Sequence, residues 1–314
     1  MTTGKANQQA DASQDEHTVP RSYLAAWYDA AISSEKNPRV WSFRRDGSGS
    51  KSYSPSNLFK YADFYGRDLE NWLQVLDDKF VKARRLTFEK HGELTPEREG
   101  PFLDFVAAMR LRTIKQHAHW NEQLRPIGVA LTIAGMARPG GEVGGPSESR
   151  GLVDRVAAKP VPVTLPLGFD VERFVVGSHH RAILETDDGV GFITSDAPFV
   201  IADPRIVSSP LATMLGRPRG EFCFFMPMSP RQALLLNPWE VTGYVHASAE
   251  VVDEMNRLSR INAHEYFIVN TETKRPVWFE IDGAGDRLQS GREVTPNRGF
   301  HKGLERSWLK PRVR

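Results

Sequence analysis

Seven polar side chains in this chain combine a residue type with a position that suits chemistry, and His17 comes first among them. It opens the segment His17-Thr18-Val19-Pro20-Arg21-Ser22-Tyr23-Leu24, where a polar stretch gives way to a proline-started helix. Free N–H groups at a helix start carry partial positive charge, which disfavours the imidazolium and keeps a nearby ring neutral around pH 7. A neutral imidazole serves as a general base or as a metal ligand, or it simply packs against the helix start. Arg112 follows Phe105 and Met109 at spacings of four and three, so it continues an apolar helical stripe. A guanidinium there must snorkel out, pair with a carboxylate, or face a pocket where its fork holds a phosphate or carboxylate. Arg110, four after Val106, supplies a second cation nearby.

Ser195 and Asp196 end a stretch of strand character, and Ala197-Pro198 bends the chain. A strand end aims polar groups, so Asp196 can orient His17, bind a metal or pair with Arg112; a turn-forming role is the plain alternative. No Gly-x-Ser-x-Gly surrounds Ser195, which weakens it as an acyl nucleophile. Asn256 and Arg260, four apart on a helix, can hydrogen-bond a ligand or tie helix to sheet. Other signals are weak. His117 and His119 are two apart on a helix, and His179 and His180 fall on opposite faces of a strand. The glycine-rich stretch 135–145 lacks the Gly-Lys-Ser/Thr of a phosphate loop, and no Cys-x-x-Cys or His-Glu-x-x-His occurs.

The elements that must position these groups follow from periodicity. Arg39–Phe43 alternates like a strand and Asp46–Ser50 turns it. Leu69, Trp72, Leu73, Leu76, Phe80 and Ala83 mark a helix over 67–90, and Thr95-Pro96-Glu97 starts another with a capping hydroxyl. Glycines and prolines crowd 137–168, which reads as a loop or linker. Beyond it the period becomes two. Residues 182–185 and 190–194 form an expected hairpin around Asp187-Asp188-Gly189. Strands follow at about 198–202, 221–229, 232–237, 266–269 and 277–280, with one late helix capped by Ser248. The expected fold is therefore α+β, N-terminal helices followed by a mostly antiparallel sheet with one late helix. Its regions are a disordered tail over 1–16, a mainly helical part over 17–136, the linker, a β-rich part over 169–283 and a basic tail over 284–314.

Several of these segments, in this order, resemble a bacterial family known only as domain of unknown function number 4238. The carriers are His17-Thr18-Val19-Pro20 with Tyr23-Leu24, Arg39-Val40-Trp41, Asp63-Phe64-Tyr65, and Phe105 with Arg110 and Arg112. Phe192-Ile193-Thr194-Ser195-Asp196-Ala197-Pro198, Pro227-Met228-Ser229-Pro230 and Asn256 complete the set, which runs from about residue 17 to 270. Ala197 departs from the polar residue, usually Asn, that the family carries there. The resemblance implies a shared fold and pocket and brings no activity with it.

Composition sets the outer bounds. The 314 residues carry 41 Lys+Arg against 39 Asp+Glu, a balance that argues against a broad phosphate-tracking surface. The single cysteine, Cys223, lies in the apolar run Phe222–Met226 and reads as core. No signal peptide opens the chain and no apolar run suits a membrane span, so a cytoplasmic protein that does not enter the membrane is expected. One pocket between the helices and the sheet is the expected site. His17, Arg112 and Asp196 suit a hydrolase acting on a phosphate-containing substrate, either a small molecule or nucleic acid, and a divalent metal is compatible with that set. The competing expectation is a binding or regulatory module whose polar cluster is structural.

Overall fold

The computed structural model describes residues 15–123, 161–202, 223–237 and 241–279. Strand β1 (Asp15–His17) leads into the short helix α1 (Arg21–Leu24), followed by β2 (Val40–Arg44), β3 (Lys51–Tyr53) and β4 (Lys60–Ala62). Helices α2 (Arg67–Arg84) and α3 (Pro96–Leu111) come next, then helical residues 114–123. After α4 (Val161–Gly177) the chain becomes mostly strand: β5 (His180–Glu185), β6 (Thr194–Ser195), β7 (Val200–Ile201), β8 (Phe224–Ser229), β9 (Gln232–Asn237) and β10 (Gly243–His246). Helix α5 (Ala249–Asn262) and strand β11 (Tyr266–Val269) close the order. The class is α+β, with N-terminal helices, mostly antiparallel sheets and one late helix, as the periodicity implies, although β1–β4 precede the two long N-terminal helices.

Three sheets hold the strands. β1 and β4 form an antiparallel ribbon. A five-stranded sheet runs β10-β5-β9-β8-β7, antiparallel except where β10 meets β5. An antiparallel four-stranded sheet runs β3-β2-β11-β6.

The α1 segment joins the sheets. Tyr23 Oη donates to the Pro227 carbonyl oxygen of β8 at 2.6 Å and lies 2.8 Å from Thr194 Oγ1 of β6. Trp27 Nε1 donates to the Phe192 carbonyl oxygen at 2.9 Å. Both rings are fully buried, and Tyr23 packs on Trp27 and Phe105, which stacks on Phe80 with ring centroids 3.6 Å apart. Polar tips paired inside an aromatic core fix the geometry of the whole junction. Beside it Gly191 has φ +72°, and a Cβ there would fall 1.9 Å from the Pro230 carbonyl oxygen, so only glycine fits.

Four local expectations change. The 67–90 helix is α2 plus a π-helical turn at Arg85–Glu89. Thr95 takes the N-cap place of α3 without a side-chain cap bond. Residues 182–185 and 190–194 do not pair: β5 lies between β9 and β10, while β6 joins β11. Asp188 causes this by turning the chain away, its Oδ1 accepting from Val190 N at 3.0 Å and Gly191 N at 2.8 Å. Pro276–Phe279 is a 3-10 turn rather than a strand, with Trp278 buried and its Nε1 donating to Asp253.

Residues 15 and 16, expected in the tail, belong to β1, and 161–168, expected in the linker, open α4. The rest of the linker and both tails lie outside the described residues. Cys223 is buried, as its apolar neighbours imply.

Candidate functional site

His17 ends β1 opposite Lys60 on the ribbon. Thr18 N continues the pairing to the Phe59 carbonyl oxygen at 2.9 Å, and the turn before β4 brings the Ser56 carbonyl to the ring. His17 Nε2 lies 3.2 Å from that oxygen. A carbonyl only accepts, so the proton sits on Nε2 and the Nδ1 lone pair remains. Nδ1 has no hydrogen-bond partner among the described residues. The ring is half-buried and its pKa is lowered, chiefly by burial, against the opposing effect of the Ser56 bond. Lys60, Arg21 and Arg112 push it the same way as burial does. Desolvation and three cations thus act together in favour of the neutral ring. Lys60 also pairs with Asp15 at 2.6 Å on the surface, while the exposed Arg21 guanidinium engages no described side chain.

Arg112 caps the C-terminus of α3 with 1% exposure. Its Nη1 is 3.1 Å from Asp77 Oδ1, both terminal nitrogens donate to Oδ2 at 3.3 Å, and Nε reaches Met109 Sδ at 3.1 Å. The guanidinium lies over the Phe105 ring, and Tyr65 Oη donates to the Arg112 carbonyl at 2.6 Å. Of the options open to a stripe arginine, this is the ion pair. Two more carboxylates stand close by. Glu16 is buried, accepting from Tyr65 N and from Gly66 N (3.0 Å) at the start of α2. Glu70 is half-buried, and its carboxylate makes no hydrogen bond or ion pair among the described residues. Burial pushes its pKa up to about 7; Glu16 and Asp77 add to the rise and Arg112 opposes it. Burial likewise raises Asp77 against the pull of Arg112. Arg112 is paired with Asp77 and opposes the rise at Glu70, while Glu16 is held by the backbone at the start of α2.

The other candidates lie apart from this cluster. Asp196 Oδ1 accepts from His264 N at 2.7 Å, and Oδ2 accepts from Glu265 N at 2.7 Å and Tyr266 N at 2.9 Å. Burial nonetheless raises its pKa from the ordinary Asp value, against the lowering effect of those three bonds. Ser195 Oγ accepts from Ala197 N at 3.1 Å. Asn256 clamps the bend before β6, accepting from Ile193 N at 2.9 Å and donating to the Gly191 carbonyl at 2.8 Å. Arg260 donates to the carbonyls of Trp278 (2.6 Å) and Arg45 (3.1 Å) and covers the Phe279 ring. Arg110 pairs with Glu172 of α4 at 3.0 Å, near Phe199 and Phe224.

The structure therefore leaves His17 within the electrostatic reach of Arg112 and places the remaining candidates in separate settings. Asp196 approaches the ribbon only as far as Tyr61, whose pKa it helps to raise. A cavity of about 380 Å³ opens elsewhere, between the start of α3 and the β5–β10 edge, lined by Glu93, Glu99, His180, Arg181 and Tyr244. Glu16, Glu70 and Asp77 were not singled out from sequence. The stripe rule does not mark them: Glu70 and Asp77 flank the Leu69, Leu73, Leu76, Phe80 stripe of α2, whereas Arg112 lies on that of α3. Among the described residues no three His, Cys, Asp or Glu side chains converge as a metal-binding set, and no helix is long and apolar enough to cross a membrane.

A family described as "Protein of unknown function (DUF4238)" matches residues 16–126 and 175–273. No curated protein and no solved structure matches the chain.

Proposed function

The chain belongs to the DUF4238 family, whose description assigns no activity, and from that premise we propose a hydrolase acting on a phosphate-containing substrate, with His17 as general base. The observation that supports this reading is the ring itself: half-buried, protonated on Nε2 by its bond to Ser56, with a bare Nδ1 lone pair among three cations. In this reading Nδ1 takes the proton of an attacking water while the exposed Arg21 and Lys60 receive the phosphate. Arg112 contributes its field from beneath, since its own donors are held by Asp77. Asp196, Ser195, Asn256, Arg260 and Arg110 act as positioning residues, keeping β6, β11 and the helices in register behind the ribbon. Phosphate monoesters, diesters and single-stranded nucleic acid fall within the proposed substrate class, and a soluble cytoplasmic setting is part of the same proposal.

A second reading, a non-catalytic binding or regulatory module, draws on the fact that Ser195, Asp196 and Asn256 direct their side chains to backbone. One screen separates the two. The full chain is assayed on p-nitrophenyl phosphate, its diester, nucleoside triphosphates and single-stranded oligonucleotides. Hydrolysis of one class is expected, with kcat/KM falling by about 10²–10⁴ in His17→Ala. The wild-type rate should rise with pH through a midpoint below 6.5. Full turnover by His17→Ala, or no turnover of any phosphoester, would overturn the proposal.

A further inference from the structure

The cavity of about 380 Å³ between the start of α3 and the β5–β10 edge takes no part in the chemistry proposed for His17. Alternation along β5 puts Arg181 and Ile183 on one face of the sheet, and Tyr244 of β10 lies beside Ile183 in the parallel register. Ile183 is buried in the main core, and Leu94 and Tyr244 pack against that core from its margin. These three side chains give the cavity an apolar and aromatic lining. Gly243 leaves it open at the start of β10: no described atom lies within 4 Å of the place a Cβ would take.

The Tyr244 ring is a fixed wall. Its Oη donates to the carbonyl oxygens of Thr87 at 2.7 Å and Gly92 at 2.8 Å. The His91 ring stacks on it with centroids 4.3 Å apart, and His91 Nε2 is in turn held 2.5 Å from Glu185 Oε1. A ring anchored through its hydroxyl and by a stacked neighbour is already ordered when a ligand arrives, which lowers the entropic cost of binding against it.

Charge decides what such a cavity accepts. Arg181 brings the one guanidinium of the lining, and each of its nitrogens is engaged: Nε by Glu99 Oε1, Nη1 by the His179 carbonyl at 2.8 Å and Nη2 by the Gly177 carbonyl at 3.1 Å. Arg181 and Glu99 are 25% and 24% exposed, so the pair is open to the cavity rather than sealed in the core. Glu99 Oε2 accepts no hydrogen bond among the described residues. The exposed Glu93 carboxylate makes no hydrogen bond or ion pair among them, and Arg98 reaches Glu93 only at its carbonyl oxygen, 2.9 Å from Nη1. Two carboxylates thus face one committed guanidinium, and the groups left over for a guest are acceptors. Acceptor oxygens beside an aromatic and apolar wall complement a cation with a hydrophobic body.

We propose that this cavity binds a small organic cation, an amine or guanidinium compound with a short apolar or aromatic body. The cationic head rests on Glu93 and Glu99 Oε2, and the body lies against Leu94, Ile183 and Tyr244. The volume is in the range of small-molecule sites. The site shares no residue with the β1–β4 ribbon, so this proposal and the phosphate chemistry at His17 can each fail alone.

The test titrates the full chain at pH 8 by calorimetry with tyramine and agmatine. Tyrosol, with a hydroxyl in place of the ammonium of tyramine, and 4-hydroxyphenylacetate, with a carboxylate there, are the matched comparisons. Tyramine should bind at least about tenfold tighter than tyrosol, with 4-hydroxyphenylacetate the weakest. Glu93→Gln, an exposed change that leaves the core alone, should weaken tyramine by about fivefold and leave tyrosol as it was. Glu93→Lys should weaken it further. Equal affinity for tyramine and tyrosol, or tyramine binding that ignores both substitutions, would overturn the proposal. So would the lack of saturable binding of either cation up to about 10 mM.

Discussion

Around Tyr23 and Asn256 each polar side-chain atom finds a partner inside the protein, whereas at His17 one ring nitrogen faces outward without one. Both regions come from segments that carry the family resemblance. The first gathers Tyr23, Thr194, Pro227, Phe192 and Asn256 into a buried junction between the two larger sheets. The second places His17 at the half-buried margin of a two-stranded ribbon, among cations. A buried, fully paired network resists change and specifies one fold. An unpaired lone pair in a partly open, positively charged setting costs stability and leaves room for a ligand. The contrast teaches that a shared motif is not one kind of evidence: Tyr23 and His17 are six residues apart and do opposite work.

The largest test of the comparison falls on Arg112, which belongs to the buried side despite its influence on His17. Arg112→Ala leaves Asp77 buried opposite nothing and should cost about 3–5 kcal/mol in urea unfolding. Replacing both partners, Arg112→Met with Asp77→Leu, should recover most of that loss, because a well-packed apolar pair removes the uncompensated charge. Recovery of less than half would mean that Glu16 and Glu70 also depend on the guanidinium.

Asn256→Ala should cost about 2 kcal/mol, since it leaves Ile193 N and the Gly191 carbonyl buried without their partner. A change below about 0.5 kcal/mol would show that water replaces the amide and that the junction is wetter than its packing implies.

The residues behind these two predictions differ in how legible they were. Arg112 stood out because it broke an apolar stripe, whereas Glu70 and Asp77 lie on the flank of the α2 stripe, where a carboxylate is ordinary. The α5 helix, its Ser248 cap (Oγ accepting from Val251 N) and the β2–β3 hairpin follow from local pattern alone. Helix α4 does not, because Pro162 and Pro166 read as breakers; Pro162 lies in the first turn, where a missing N–H is tolerated, and burial of Val161 and Leu165 offsets Pro166. The destination of Asp196 was equally hidden. Its three amide partners lie about seventy residues on, and nothing in Ser195-Asp196-Ala197-Pro198 indicates that β11 will arrive there.

Glu70 stands near Arg112, Glu16 and Asp77 and tests the partly open side of the comparison through pH. Its pKa in the folded protein, about 7, lies above its ordinary 4.5, so the folded state holds the proton more tightly. The stability this contributes is complete below pH 4.5 and is lost as pH rises through 7. Glu70→Gln keeps the neutral shape and should be the more stable form at pH 8, by about 1 kcal/mol once solvent screening of a half-exposed group is counted. The gap should vanish near pH 4.5. Equal stability at both pH values would mean that Glu70 ionises freely and that Arg112 is shared more evenly than the Asp77 pairing indicates.

The smallest stability effect belongs to His17, and its smallness is the point. His17→Gln removes one half-buried ring and one bond to Ser56, which should change unfolding by less than about 1 kcal/mol near pH 8. Because the ring's pKa is lowered on folding, protonation favours the unfolded chain. Wild type should therefore lose stability as pH falls below 6.5, and the Gln variant should lack that component. Urea midpoints at pH 8 and pH 5 measure both effects. If His17→Gln instead costs as much as Asn256→Ala at pH 8, the ring is a structural member like the junction residues, and the assignment of a general base to the ribbon fails with it.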